Sequence, residues 1–275
     1  MPELPEVETV RRTLTGLVKG KTIATIEIKW ANIIKRPADP EEFARLLVGE
    51  TIESIDRRGK FLLFHFGHCV MVSHLRMEGK YGLHQQDEPL DKHVHVIFKF
   101  TDGTELRYRD VRKFGTMHLF KPGEERTELP LCQLGPEPFS DEFTIRYLRE
   151  RLSKTNRSVK TALLDQRTVV GLGNIYVDEA LFRAGIHPET NANQLTYKQT
   201  ECLHEQIIQT LKEAVEAGGS TVRSYLNSQG EIGMFQLRLF VYGRKDEPCK
   251  KCGTVIRKTV VGGRGTHFCI KCQKK

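Results

Sequence analysis

Apolar residues settle into a helical period early in the chain: Val7, Val10, Leu14 and Leu17 recur every three or four positions, and Lys19-Gly20 supplies a basic end with a C-cap glycine. This predicts a helix over 5–18. From Thr22 the period shortens to that of strands, with β-branched and aromatic runs at 22–30, 51–56, 60–66, 70–74, 93–100 and 104–109. Thr101-Asp102-Gly103-Thr104 is a hairpin turn between the last two. The pattern breaks at Leu134-Gly135-Pro136-Glu137-Pro138, which reads as a linker, and becomes helical again over 143–152, 158–165, 175–184 and 198–217. The fold class is therefore α+β: an N-terminal β-sandwich flanked by helices, then a helical region. No internal repeat or low-complexity tract interrupts it.

The last thirty residues belong to neither pattern. Cys249-Lys250-Lys251-Cys252 and Cys269-Ile270-Lys271-Cys272 are two C-x-x-C knuckles sixteen residues apart, the spacing of a four-thiolate structural zinc site on a β-hairpin too small to fold without metal. Disulfides are the competing reading. No leader-like segment precedes the acidic first helix and no apolar run reaches membrane-span length, which favours zinc, a cytoplasmic setting and no membrane. Cys69, Cys132 and Cys202 have no partner at ligand spacing. The expected domains are 1–134, 135–240 and 241–275.

Charge adds a partner. The 275 residues carry 43 Lys+Arg against 35 Asp+Glu, a formal net charge of +8, and the excess gathers around the knuckles at Lys245, Lys250, Lys251, Arg257, Lys258, Arg264, Lys271, Lys274 and Lys275. Such a module reads as phosphate-facing, although a ribbon gripping protein or RNA has the same composition. Val169-Val170-Gly171-Leu172-Gly173-Asn174 is a glycine-bearing turn that opens a helix, where backbone amides hold phosphates; glycine also serves helical corners for steric reasons alone.

Three stretches carry candidate chemistry. In Met1-Pro2-Glu3-Leu4-Pro5-Glu6, removal of Met1 would expose a secondary amine beside carboxylates, a nucleophile near pKa ~8 that forms a charged iminium with an aldehyde-level carbon. The plainer reading is a helix start enriched in acids. Met77, after His74-Leu75-Arg76, and Phe114, after Arg112-Lys113, are large apolar residues beside arginines at strand ends, suited either to wedging into a base stack or to closing a core. Residues 218–233, rich in Gly and Ser, form either a lid or a linker.

These motifs together resemble the bacterial formamidopyrimidine-DNA glycosylases, and especially those of Bacillus-type organisms. The resemblance rests on Pro2-Glu3-Leu4-Pro5-Glu6, Arg58-Gly59-Lys60, His74-Leu75-Arg76-Met77, Arg109 to Gly115, Gly173-Asn174-Ile175-Tyr176, the four cysteines and Gly263-Arg264-Gly265. It implies a helix–two-turn–helix region and one structural zinc ion on Cys249, Cys252, Cys269 and Cys272. It also implies a bifunctional glycosylase and lyase acting, as a monomer without nucleotide cofactor, on duplex DNA with an oxidised purine opposite cytosine. Catalysis would rest on Pro2, Glu3, Lys60 and Arg264, the last two from opposite domains. DNA contacts would come from Glu6, His74, Met77, His93, Arg112, Phe114, Asn174 and Ser220, with residues 218–233 closing on the damaged base.

Two other hypotheses are compatible with parts of the pattern. An endonuclease VIII-like glycosylase shares the Pro-Glu start and zinc finger but removes oxidised pyrimidines; Leu4 and the Arg112–Phe114 trio favour the purine enzyme. A non-catalytic DNA-binding protein would use the helical turn and ribbon alone, and Pro2 would be dispensable.

Overall fold

The computed structural model describes residues 1–220 and 233–275. They divide into two compact units, one over 1–133 and one over 134–220 with 234–275. In the first, helix α1 (Leu4–Val18) turns Val7, Val10, Leu14 and Val18 inward. A four-stranded antiparallel sheet runs β1 (Ile23–Ile28), β7 (Val94–Phe100), β8 (Thr104–Arg109), β6 (Lys80–Gln85) in that order. A five-stranded sheet runs β2 (Ile34–Arg36), β9 (Thr116–Phe120), β5 (Val70–His74), β4 (Phe61–His65), β3 (Ser54–Arg58), antiparallel except for β2 against β9. Period-two side chains from both sheets, Val96, Phe98 and Phe100 from one and Leu62, Phe64, Met71 and Met117 from the other, meet in one core with α1 and helix α2 (Pro40–Leu47). This is the expected sandwich.

The strand runs are displaced by a few residues at their ends, and five elements go beyond the sequence reading. Helix α2 has a helix-start signature in Asp39-Pro40-Glu41-Glu42: Asp39 accepts the Glu41 N–H at 2.9 Å, and proline occupies the first turn, where its missing N–H matters least. Strand β9 is a five-residue alternation that buries Met117 and Leu119. Strand β6 is camouflaged by Gly82 and its histidine, β2 has only three residues, and α3 (Glu124–Thr127) is one turn.

The second unit contains α4 (Ile145–Ser153), α5 (Val159–Leu164), α6 (Asn174–Arg183) and the 20-residue α7 (Tyr197–Glu216). Side-chain caps start three of them: Thr144, Ser158 and Thr196 each accept the N–H group three residues ahead. Between α5 and α6, Gln166 holds the glycine turn. Its amide donates to the Leu164 and Leu172 carbonyls at 3.1 and 2.8 Å, and its oxygen accepts the Gly171 N–H at 3.0 Å. The hairpin β10 (Arg257–Val261) and β11 (Arg264–Phe268) follows. No helix among the described residues is long and apolar enough to cross a membrane.

Candidate active site

At the head of α1, Pro2, Glu3 and Glu6 are all buried. Glu3 is the N-cap residue, and its backbone N–H donates to the Glu6 carboxylate at 2.8 Å, one arm of a capping box. Two carboxylates and the residue 2 nitrogen thus share the positive end of a 15-residue helix. In the first unit, Gly59 takes φ +57° in the β3–β4 turn and delivers Lys60, itself buried, at the start of the next strand.

His74 ends β5, buried with Phe61 edge-on to its ring at 4.5 Å. Its Nδ1 accepts the Arg76 N–H at 2.8 Å, so the neutral ring carries its proton on Nε2 as a donor. Burial, then the charges of Arg76, Lys60 and His118, push its pKa down to about 3. A neutral imidazole donates to an oxygen without adding charge.

Two loop tips follow a common design. Arg76 and Lys113 both adopt left-handed backbone, φ +53° and +57°, a conformation that non-glycine residues hold only when their surroundings impose it. In the second loop Asp110 imposes it. Fully buried, its carboxylate accepts N–H groups from Arg112 at 3.0 Å, Phe114 at 2.9 Å and Gly115 at 2.8 Å. What emerges is a half-exposed Phe114 (50 %) with the Arg112 guanidinium 4.6 Å above its ring, and an exposed Met77 (37 %) on the other loop. The expectation that these residues merely close a core does not describe them. His93 is half-buried beside this loop, where its carbonyl accepts the Asp110 N–H at 2.9 Å.

In the second unit the glycine turn and the hairpin are locked together. Lys160, with no exposed surface, donates to Asp178 at 2.6 Å and to the Gly265 carbonyl at 3.1 Å; Asp178 accepts the His267 N–H at 2.8 Å. Asn174 gives its side-chain amide to the same Gly265 carbonyl at 2.8 Å. The side chain expected to hold a phosphate is therefore engaged in holding the hairpin against α6. Arg264, next to Gly265, is exposed where β11 begins. Glu179 is buried and accepts three successive N–H groups, from Phe240, Val241 and Tyr242, at 2.8, 2.9 and 2.9 Å; burial raises its pKa against the effect of those amides. Lys160, Asp178, Glu179 and Gln166 carry no motif, and a lysine inside a helical pattern reads as surface. Asp110 alone had a signal, an Asp followed by a short turn ending in glycine.

Cys249, Cys252, Cys269 and Cys272 place all four sulfurs within 4.8 Å of one another, with Cys252–Cys269 at 3.5 Å and Cys249–Cys272 at 3.9 Å. Thiolates about 2.3 Å from a zinc ion lie roughly 3.8 Å apart along tetrahedral edges. Disulfide sulfurs would lie about 2.05 Å apart. The four residues fit one structural zinc ion and leave no position open on it for substrate. Ser220 is buried and bridges Met234; of the expected closing segment 218–233, residues 221–232 lie outside the described residues.

Comparison with known proteins is consistent along the whole chain. Residues 1–117 match the Formamidopyrimidine-DNA glycosylase N-terminal domain, 134–225 the Formamidopyrimidine-DNA glycosylase H2TH domain, and 246–275 the zinc finger found in FPG and IleRS. The chain is 85 % identical over 275 residues to the formamidopyrimidine-DNA glycosylase of Bacillus licheniformis and 79 % identical to that of Bacillus subtilis, covering all of each. Among solved structures it resembles Lactococcus lactis Fpg in complex with abasic-site DNA, with a TM-score of 0.93 at 44 % identity over 99 % of this chain and 100 % of that one. It likewise resembles the same organism's wild-type Fpg with N7-benzyl-Fapy-dG DNA, at TM-score 0.93 and 45 % identity over both whole chains.

Proposed function

Because this chain belongs to the formamidopyrimidine-DNA glycosylase family, DNA-repair enzymes with glycosylase and AP-lyase activity, we propose that it excises oxidised purines from duplex DNA. Its substrates are 8-oxoguanine and formamidopyrimidines opposite cytosine. The observation that carries this reading is the burial of Pro2, Glu3 and Glu6 together at the start of α1.

With Met1 removed, Pro2 offers a secondary amine at the positive end of a helix, which disfavours the ammonium form and leaves a lone pair for attack. The amine attacks C1′ of the damaged nucleotide and the glycosidic electron pair leaves with the base. Glu3 protonates the ring oxygen as the sugar opens, giving an iminium. That cation acidifies C2′–H, so loss of the proton expels the 3′ phosphate, and a second elimination expels the 5′ phosphate. Glu6, hydrogen-bonded to the Glu3 backbone, keeps Glu3 in place. Lys60, the Nε2–H of His74 and Arg264 bind phosphates, Met77 and Arg112 fill the space left by the everted nucleotide, Arg112 faces the orphaned cytosine, and Phe114 wedges beside them. Asn174 contributes chiefly by setting the hairpin that carries Arg264. His93 supports the loop of Arg112, and Ser220 with residues 221–232 reads the base. The enzyme works as a monomer with no nucleotide cofactor.

Borohydride trapping on an 8-oxoguanine·cytosine duplex tests the scheme, since only an imine is reduced to a stable adduct. Wild type should give the adduct, Pro2→Gly should bind the duplex but turn over and trap more weakly, since its primary amine replaces the pyrrolidine, and Glu3→Gln should bind without releasing base. Wild-type turnover in Pro2→Gly would count against the proline as the nucleophile. Faster excision of thymine glycol than of 8-oxoguanine would move the chain to the pyrimidine-directed alternative.

A further inference from the structure

Between Arg112 and Phe114, whose side chains stack on each other, Lys113 reaches in another direction, placing its ammonium 4.0 Å from the centre of the Trp30 ring. Asp110 fixes the backbone on both sides of Lys113, but among the described residues no hydrogen bond or ion pair directs the lysine side chain itself; Trp30 does. The indole is well placed to act as a post. Trp30 is half-buried, packs against the N-terminal core, and leads into the short 3₁₀ turn Ala31–Ile33 between β1 and β2. Together with Asn32, Lys35, Arg76, Phe114 and Gly115 the pair lines an open cleft of about 460 Å³. Lys35, Arg76 and Lys113 form no salt bridge there among the described residues, so the cleft wall is cationic.

A left-handed lysine is an uphill conformation. A charge held over an aromatic face adds to the hold of Asp110 on this loop, and losing it raises the share of loop conformations in which the Arg112–Phe114 pair is out of place. We propose that Trp30 is a positioning residue for lesion engagement: its indole face holds Lys113 and so presets the Arg112–Phe114 pair in the geometry that enters the duplex. The inference rests on the reading of Arg112 and Phe114 given above. It concerns how fast the wedge enters, not the chemistry that follows.

Trp30 is the one tryptophan of the chain, so its emission reports the contact directly. In free protein, Lys113→Met, which keeps the stem and removes the charge, should change that emission; an unchanged spectrum would overturn the proposal. The second measurement is stopped-flow fluorescence of a duplex with 2-aminopurine beside 8-oxoguanine, whose rise reports unstacking. Trp30→Leu and Lys113→Met should each slow the rise about fivefold, the factor that an exposed cation–π contact corresponds to, and the double variant should be no slower than either. Trp30→Phe should restore most of the rate, and the thermal midpoint of Lys113→Met should fall by no more than about 2–4 °C, the cost of one such contact. Wild-type unstacking rates in both single variants, or a double variant slowed by the product of the two effects, would refute the role. Failure of wild type to form a borohydride adduct would instead strike the catalytic reading and leave these rates interpretable.

Discussion

His74 shows how much a single residue owes to its surroundings. The sequence places it beside Arg76 and Met77, and nothing there says which nitrogen carries its proton. The fold decides it by turning the Arg76 N–H onto Nδ1. Because burial lowers the folded-state pKa from 6.5 to about 3, unfolded chains bind the proton more readily throughout that window. The stability His74 contributes is whole above about pH 6.5 and is lost as pH falls towards 3. Thermal midpoints measured from pH 7 to pH 4 should therefore fall on the acid side, and His74→Gln should flatten part of that fall; an identical slope in the variant would show that the ring titrates normally. Pro2, Glu3, Met77, Arg112 and Phe114 were legible as candidates because their chemistry is local to a short motif. Lys160, Asp178 and Glu179 were not, since their partners lie far along the chain and a charged residue in a patterned segment is ordinarily solvated.

At the scale of elements, the turn of the zinc-bearing hairpin separates two glycines that look interchangeable. Val261 pairs with Arg264 across Gly262-Gly263, both at positive φ, +55° and +74°, as a two-residue type I′ turn requires. A Cβ on Gly262 would meet the Thr161 hydroxyl at 2.7 Å, whereas one on Gly263 would meet nothing within 4 Å. Gly262→Ala should thus destabilise the second unit by about 1–3 kcal/mol, and Gly263→Asn, a residue that tolerates left-handed backbone, should stay within about 0.5 kcal/mol of wild type. Denaturant unfolding separates them, and equal losses would mean that the hairpin does not rest on α5. The same scale explains the unread strands. Period two needs several residues to stand out, and β2 with three residues and β6 with an internal glycine do not supply them. Helix α2 was different: its Asp-Pro-Glu-Glu start was in plain view, and eight residues between strands were too short to register as a period.

At the scale of the whole molecule, the proposed grip on DNA draws on a four-cysteine module, a class of finger whose folding is ordinarily coupled to metal binding. One zinc ion per chain is expected by elemental analysis. Chelation should release the hairpin and with it Arg264, abolishing duplex binding while the far-ultraviolet signal of the strand-rich first unit persists. Unchanged affinity in zinc-free protein would show that the finger is not part of the grip. Net charge of +8 further predicts that binding weakens steeply with salt, as counterion release demands.

Glu179 has an evolutionary corollary. It grips only amide hydrogens of residues 240–242, so the grip is blind to which side chains stand there. This grip leaves the side chains free and asks only that each position keep its N–H, which bars proline; packing separately holds Phe240 on Phe182, Val241 in the core and Tyr242 on His267. The freedom is asymmetric, because shortening Glu179 by one methylene would withdraw its oxygens by about 1.5 Å and break all three bonds together. The zinc-bearing segment is in this sense metered by a ruler one side chain long.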